Sequence, residues 1–197
     1  MMDVLSVTSE IYPLVKTGGL ADVAGALPAA LADHDIAMRT LVPGYPQVKA
    51  ALKRGRTVAT FDDLFGGPAE LIAARVAGLD LIVLDAKHLF DRPGGIYVDQ
   101  TGADWPDNWQ RYAALSWVAA ELAKGLVEGY RPAIIHAHDW QAAMAAAYVA
   151  FGGDTQTRVI LTIHNIAFQG QFGADIFPHL RLPAQAFDMS GVEYYGG

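Results

Sequence analysis

Short apolar runs alternate with longer amphipathic segments along most of the chain. The short runs are rich in Val, Ile and Leu and are bounded by turn residues, a pattern typical of strands buried on both faces. These runs are Val4–Thr8, Ala37–Val42, Leu71–Val76, Leu81–Leu84, Ala133–Ala137 and Val159–Ile163. Helical length and spacing are found in Leu20–Ala32, Asp107–Leu126 and Trp140–Phe151. The alternation predicts an α/β fold in which a parallel sheet carries helices on both faces.

Two regions do not follow this alternation. The segment from His88 to Trp105 contains the pair Gly94-Gly95 and has no clear periodicity, and a loop of that length inside a compact domain is usually functional. The last residues are polar and aromatic and end at Gly196-Gly197 without a closing strand or helix. We therefore expect the chain to be part of a longer protein.

Composition limits the classes of function. A chain of 197 residues with 52% hydrophobic and 18% charged residues can bury the core of one domain. Without cysteine it forms neither disulfides nor thiolate metal sites, and the cytoplasm is the default compartment. The net charge of -7 argues against nucleic acid as a partner. No signal peptide and no apolar run of about 18 residues is present, so we expect neither secretion nor membrane insertion.

A glycine-rich turn follows the first predicted strand. Lys16, Gly18 and Gly19 stand just ahead of a predicted helix, where backbone N–H groups and the helix dipole favour an anion such as phosphate. The pattern is neither a P-loop nor the full dinucleotide fingerprint. A structural Gly-Gly turn beside a solvated lysine therefore remains the alternative. We expect Asp22 to complement the helix dipole.

Polar residues end two later strands, at the sheet edge where open α/β sheets bind ligands. His136, His138 and Asp139 end one strand, and His164 follows the next. Spaced two apart, His136 and His138 are expected to point to the same face, so that a metal site with Asp139 and His164 is one interpretation. A satisfied buried histidine is the alternative for His136, and a helix N-cap is the alternative for Asp139. There is no cysteine and no Gly-x-Ser-x-Gly elbow, hence no candidate nucleophile of the hydrolase type.

Six motifs give the sequence a specific resemblance. They are SEIYPLVKTGGLADV at 9–23, GALP at 25–28, LVPGYP at 41–46, HLFDRPGGIY at 88–97, HAHDW at 136–140 and TIHNIAFQG at 162–170. In order and spacing the chain resembles the bacterial glycogen synthases and plant starch synthases over essentially its whole length. The resemblance implies the N-terminal, acceptor-side, Rossmann-like half of a GT-B glycosyltransferase, spanning residues 1–197.

The same resemblance implies a reaction and its partners. Glucose would pass from ADP-glucose to the non-reducing end of glycogen or a malto-oligosaccharide, with retention of configuration and without metal or other cofactor. Neither nucleic acid nor a membrane is an expected partner, and no pattern specifies an oligomeric state.

Site roles are also implied by the resemblance. Lys16, Gly18 and Gly19 would lie against the diphosphate and glucose of the donor, and Tyr97 would line the cleft. His164 and Asp139 are the implied catalytic pair. The backbone carbonyl of His164 would face the reacting carbon, and its side chain would lie within reach of a sugar hydroxyl. Asp139 would hydrogen-bond the sugar.

Family members continue with a C-terminal nucleotide-binding domain that these residues do not include, so we expect the chain alone to give no turnover. Three alternatives remain open from the sequence: a stand-alone carbohydrate-binding module, a metal-dependent enzyme built on the histidine pair, and a donor with UDP in place of ADP.

Overall fold

The computed structural model describes residues 1–153 and 156–197, and its centre is a seven-stranded sheet. The strands are β1 (Met2–Val7), β2 (Ile36–Pro43), β3 (Arg56–Phe61), β4 (Ala69–Val76), β5 (Leu79–Asp85), β6 (Ile134–His138) and β7 (Arg158–Thr162). They lie in the order β3-β4-β5-β2-β1-β6-β7, in which the five strands from β5 to β7 run parallel. All six predicted strands are present, and the α/β prediction is confirmed.

Helices form most of the connections between the strands. They are α1 (Gly19–Ala32), α2 (Pro46–Ala51), α3 (Lys87–Phe90), α4 (Asn108–Ala123) and α5 (Trp140–Phe151), followed by 3₁₀ turns at Ala174–His179 and Ala184–Ala186. Right-handed crossovers that move in opposite directions from the sheet centre place α1 and α5 on opposite faces. Within residues 1–153 and 156–197, no helix is both long and apolar enough to cross a membrane.

One edge of the sheet departs from the predicted parallel arrangement. Strand β4 is antiparallel to β5, and β3, which the apolar pattern did not predict, is antiparallel to β4. Only Ala77 and Gly78 separate β4 from β5, and both have positive φ, as a two-residue hairpin turn requires. A parallel crossover needs a dozen or more residues, so a hairpin is the only connection that this spacing permits.

The sheet reverses its direction of winding at β1. The chain passes from β1 to β2 on one side and later returns to place β6 on the other side. The crevice outside the carboxyl ends of β1 and β6 is therefore a topological switch point, the usual ligand position in open α/β sheets. The buried side chains of Leu5, Val7, Leu41 and Ile135 belong to the core that holds these strand ends in place.

Candidate functional site

The glycine-rich turn lies at the carboxyl end of β1 and leads into α1. Gly18 is the N-cap residue of α1, with an extended backbone at φ -146°. A methyl group added at Gly18 or Gly19 would meet no protein atom within 4 Å, and neither residue has a positive φ. Since neither packing nor backbone conformation requires glycine here, the space above the pair is open to a ligand.

The buried carboxylate of Glu10 holds this turn. Its Oε2 accepts the N–H of Thr17 and, at 3.2 Å, that of Gly18, while its Oε1 accepts the Thr17 hydroxyl at 2.7 Å. The N–H of Gly18 is therefore already bonded within the protein. What Gly18 offers a ligand is the absence of a side chain.

Lys16 also has a partner in the protein. Its ammonium contacts both carboxylate oxygens of Asp22 at 2.7 Å, and both side chains are about half exposed. Exposed ion pairs of this kind are worth about 0–1 kcal/mol. Lys16 can therefore exchange Asp22 for a phosphate at little cost.

Tyr97 joins the long loop to the glycine-rich turn. Its hydroxyl donates to Oε1 of Glu10 at 2.7 Å and lies 2.7 Å from the Ser9 hydroxyl. Burial, then the neighbouring Tyr112 and Glu10, raise the pKa of Tyr97 well above its usual value, so the hydroxyl keeps its proton. The Glu10 carboxylate thus links the glycine-rich turn to the loop around Tyr97, two segments that were predicted separately as parts of the site.

The loop around Tyr97 is held to α4 by hydrogen bonds from two side chains of that helix. Arg111, which is buried, donates to the carbonyls of Leu89 and Ile96 at 2.7 and 2.9 Å and to Asn108 Oδ1 at 2.7 Å. Asn108 in turn donates to the Tyr97 carbonyl at 2.8 Å. The predicted irregular loop is therefore fixed by internal bonds, although only its first residues, in α3, are helical.

Asp139 connects the ends of β6 and β7. It is the N-cap residue of α5, as predicted, although its side chain makes no capping hydrogen bond. Oδ1 instead accepts the backbone N–H of His164 at 2.6 Å and that of Asn165 at 3.4 Å. Its φ of 56° is rare for a residue other than glycine, and such strain collects at functional sites.

Three histidine rings line up beside Asp139. The rings of His136 and His138 lie 4.3 Å apart between centroids, which confirms that they share a face. His138 Nδ1 is 3.0 Å from His164 Nε2, and His136 Nε2 is 2.7 Å from the Thr162 hydroxyl. Burial, then the charges of His136 and His164, lower the pKa of His138 to about 3, and burial also lowers the pKa of His136. Burial therefore disfavours the positively charged forms of His136 and His138 near pH 7.

Two groups of residues therefore lie at the switch point, at the carboxyl ends of neighbouring strands. Gly18 and Tyr97 are both hydrogen-bonded to Glu10, and Asp139 is hydrogen-bonded to the backbone of His164. Sequence reasoning missed Glu10 and the bond from His138 to His164. An acidic residue between a buried strand and a glycine-rich turn was the available signal for Glu10.

Two other features of the described residues bear on the site. No group of three or more His, Asp or Glu side chains within residues 1–153 and 156–197 is placed to hold a metal ion.

A cavity of about 670 Å³ lies between α4, α5 and residues 169–197, with a mainly apolar lining that includes Trp109, Trp140 and Phe172. It lacks the convergent polar groups of the switch point, which is why the strand ends are the better candidate site.

Comparisons with known proteins find similarity over nearly the whole chain. Residues 3–197 match the family model described as the starch synthase catalytic domain. The chain is 59% identical to a glycogen synthase of Mesorhizobium japonicum, over 100% of this chain and 41% of the relative. It is also 59% identical to glycogen synthase 2 of Rhizobium meliloti, over 99% of this chain and 40% of that relative. It therefore spans about 40% of the length of these curated relatives.

A solved structure is similar over the same region. The catalytic domain of starch synthase IV from Arabidopsis thaliana, bound to ADP and acarbose, superposes with a TM-score of 0.75 at 27% identity. The similarity covers 96% of this chain and 39% of that one.

Proposed function

Because the chain belongs to the starch synthase catalytic domain family, we propose that it is the acceptor-side domain of a GT-B glycogen synthase of the bacterial cytoplasm. The whole enzyme transfers glucose from ADP-glucose to the non-reducing end of an α-1,4-glucan with retention of configuration. Relatives named glycogen synthase, and a similar starch synthase solved with ADP and acarbose, support this donor and acceptor. The nucleotide pocket belongs to the part of the relatives that these residues do not span.

The observation that carries the proposal is that an open glycine turn and the carboxylate of Asp139, a residue with a strained backbone, lie at one switch point. Gly18 and Gly19 leave room for a ligand to reach the backbone, and the N-terminal end of α1 favours its negative charge. In this proposal the diphosphate of the donor lies over the two glycines. Lys16 turns from Asp22 to a phosphate oxygen and stabilises the departing ADP.

Asp139 and His164 act at the sugar in this proposal. Asp139 uses Oδ1 to hold the backbone of His164, and within the described residues its Oδ2 has no hydrogen-bond partner. Oδ2 hydrogen-bonds a sugar hydroxyl, and its charge stabilises the positive charge that develops on the ring at the transition state. The fixed backbone of His164 directs its carbonyl to the reacting carbon, and Tyr97 lines the cleft.

The test is ADP release from ADP-glucose, with and without a glycogen primer, by a protein of the relatives' full length and by residues 1–197 alone. UDP-glucose serves as the donor control. Primer-dependent release by the longer protein and none by residues 1–197 is the expected result. Release from neither donor by the longer protein would refute the proposed reaction, and turnover by residues 1–197 would refute the half-enzyme proposal.

A further inference from the structure

His138 is a fully buried histidine whose two ring nitrogens have different surroundings. Its Nδ1 lies 3.0 Å from Nε2 of His164. Its Nε2 is buried and has no hydrogen-bond partner among the described residues. Only one orientation of the ring gives this bond, because rotation by 180° would replace Nδ1 with a carbon.

A neutral imidazole carries one proton on one of its two nitrogens. The nitrogen that carries it in His138 decides whether His164 Nε2 accepts or donates the hydrogen bond between the two rings. If the proton were on Nε2 of His138, a buried N–H would have no acceptor. With the proton on Nδ1, that N–H donates to His164 and only an acceptor is left without a partner. Orphaned buried N–H groups are the rarer defect in proteins, so the structure favours the proton on Nδ1. The depressed pKa of His138, set mainly by burial, excludes the doubly protonated ring near pH 7.

We infer that His138 is a positioning residue that fixes the tautomer of His164, so that His164 presents an Nδ1–H donor to a ligand oxygen. Because Nε2 of His164 accepts from His138, that nitrogen carries no proton, and the ring proton of His164 resides on Nδ1. Nδ1 of His164 has no hydrogen-bond partner within residues 1–153 and 156–197, and the residue is only partly buried. The tautomer follows from this contact and from the burial of His138. That the acceptor is a hydroxyl oxygen of the donor sugar rests on the proposed function.

The first test is ¹⁵N NMR of the imidazole rings in the unliganded chain near pH 7, with signals assigned through the variant H164Q. We expect a protonated Nδ1 and a bare Nε2 in His164. The variant H138N places an amide nitrogen near the former Nδ1 and should preserve this state, whereas H138L should release His164 to a mixture of tautomers. A proton on Nε2 of His164 in the unsubstituted chain overturns the inference, and so does an unchanged tautomer in H138L.

The second test measures steady-state kinetics of the same variants in a protein of the relatives' full length. H138L should raise the KM for ADP-glucose about ten-fold, the size expected for one lost hydrogen bond, and H138N should stay within about three-fold of the parent. Equal losses in the two variants would overturn the assignment of Nδ1–H to the sugar. Since the NMR test uses no donor, its failure leaves the proposed reaction standing, and failure of the reaction leaves the tautomer standing.

Discussion

At Gly18 and Gly19, neither packing nor backbone conformation within the described residues requires glycine. We predict that Gly18→Ala and Gly19→Ala each change the free energy of unfolding by less than about 0.5 kcal/mol, because the added methyl group meets no protein atom within 4 Å. In the full-length protein the same changes should raise the KM for ADP-glucose at least about ten-fold, since the methyl group occupies the place proposed for the donor. Urea unfolding and ADP release measure the two effects.

Gly25 in α1 is the matched control. A methyl group there would stand 2.5 Å from the Tyr12 carbonyl oxygen, so Gly25→Ala should destabilise the fold by about 1–3 kcal/mol despite the higher helix propensity of alanine. A loss of stability at Gly18 or Gly19 comparable with that at Gly25 would contradict the ligand explanation.

Glu10 and Tyr97 should be energetically coupled. Tyr97→Phe removes one of the four donors to the Glu10 carboxylate, and Glu10→Gln replaces the acceptor of all four. We predict that the double variant loses less stability than the sum of the single variants, with a coupling of about 0.5–3 kcal/mol from urea unfolding. Tyr194→Phe, at an exposed tyrosine, provides the comparison. Strict additivity for Glu10 and Tyr97 would show that the bond contributes nothing.

His138 should make stability depend on pH. Its pKa is lowered to about 3 in the folded chain, whereas an unfolded histidine titrates near pH 6.5. Below pH 6.5 His138 binds a proton in the unfolded chain but not in the folded chain. The free energy of unfolding therefore falls as the pH falls toward 3. The limiting slope is about 1.4 kcal/mol per pH unit for this one group.

We therefore predict that H138L flattens the slope of unfolding free energy between pH 5 and 6.5 relative to the parent. H34Q, at an exposed histidine, should leave the slope unchanged. Equal slopes in the parent and H138L would mean that His138 is protonated in the folded chain.

Residue-level reasoning located the candidate site residues but not their internal partners. The motifs singled out Gly18, Asp139 and His164, and the topology places all three at one sheet edge. The occupied N–H of Gly18 and the bond of His138 to His164 depend on where Glu10 and His138 lie in three dimensions. A sequence pattern gives strand ends and faces, but it does not give the side-chain distances that decide such bonds.

Among the elements, the connection between α3 and α4 depends on one buried cation. We predict that Arg111→Met lowers the free energy of unfolding by about 3 kcal/mol or more, because it leaves the carbonyl of Leu89 and Oδ1 of Asn108 without their donor. Residues 91–105 should then be cut by proteases well before the rest of the chain. Arg131→Met, at an exposed arginine that bonds the Lys124 carbonyl, should change either readout little. Equal protease resistance in the two variants would show that Arg111 does not hold the loop.

The elements that the sequence revealed are those with a strong apolar signal. Buried parallel strands and the three long helices have that signal, and their bounds are close to the predicted ones. Strand β3 lacks it, because Arg56–Phe61 lies at the sheet edge and alternates polar residues with only partly buried ones. Helices α2 and α3 have six and four residues, too few for a helical period to be recognised.

In the whole molecule, one edge of the sheet, formed by β7, exposes apolar side chains. The edge strand β7 exposes Ile160 and Leu161, by 49% and 45%, and unpaired edges with apolar side chains favour association. We predict that residues 1–197 in isolation associate as concentration rises and that Leu161→Lys reduces this. Val23→Lys introduces the same charge at an apolar side chain of α1 that is 42% exposed, and should have little effect. Light scattering distinguishes the variants, and an equal reduction by both would attribute the effect to net charge instead of the edge.

The hydrogen bond between Tyr97 and Glu10 joins residues that are 87 positions apart in the sequence, and this separation bears on the order of folding. Strands β2 to β5 lie between the two partners, so closing this loop is costly in chain entropy and we expect the bond to form only once these strands have assembled. Competence to bind therefore arrives late in folding, and a partly folded chain has no complete turn to offer. By mass action, a ligand that binds only the completed turn stabilises the folded chain relative to the unfolded one.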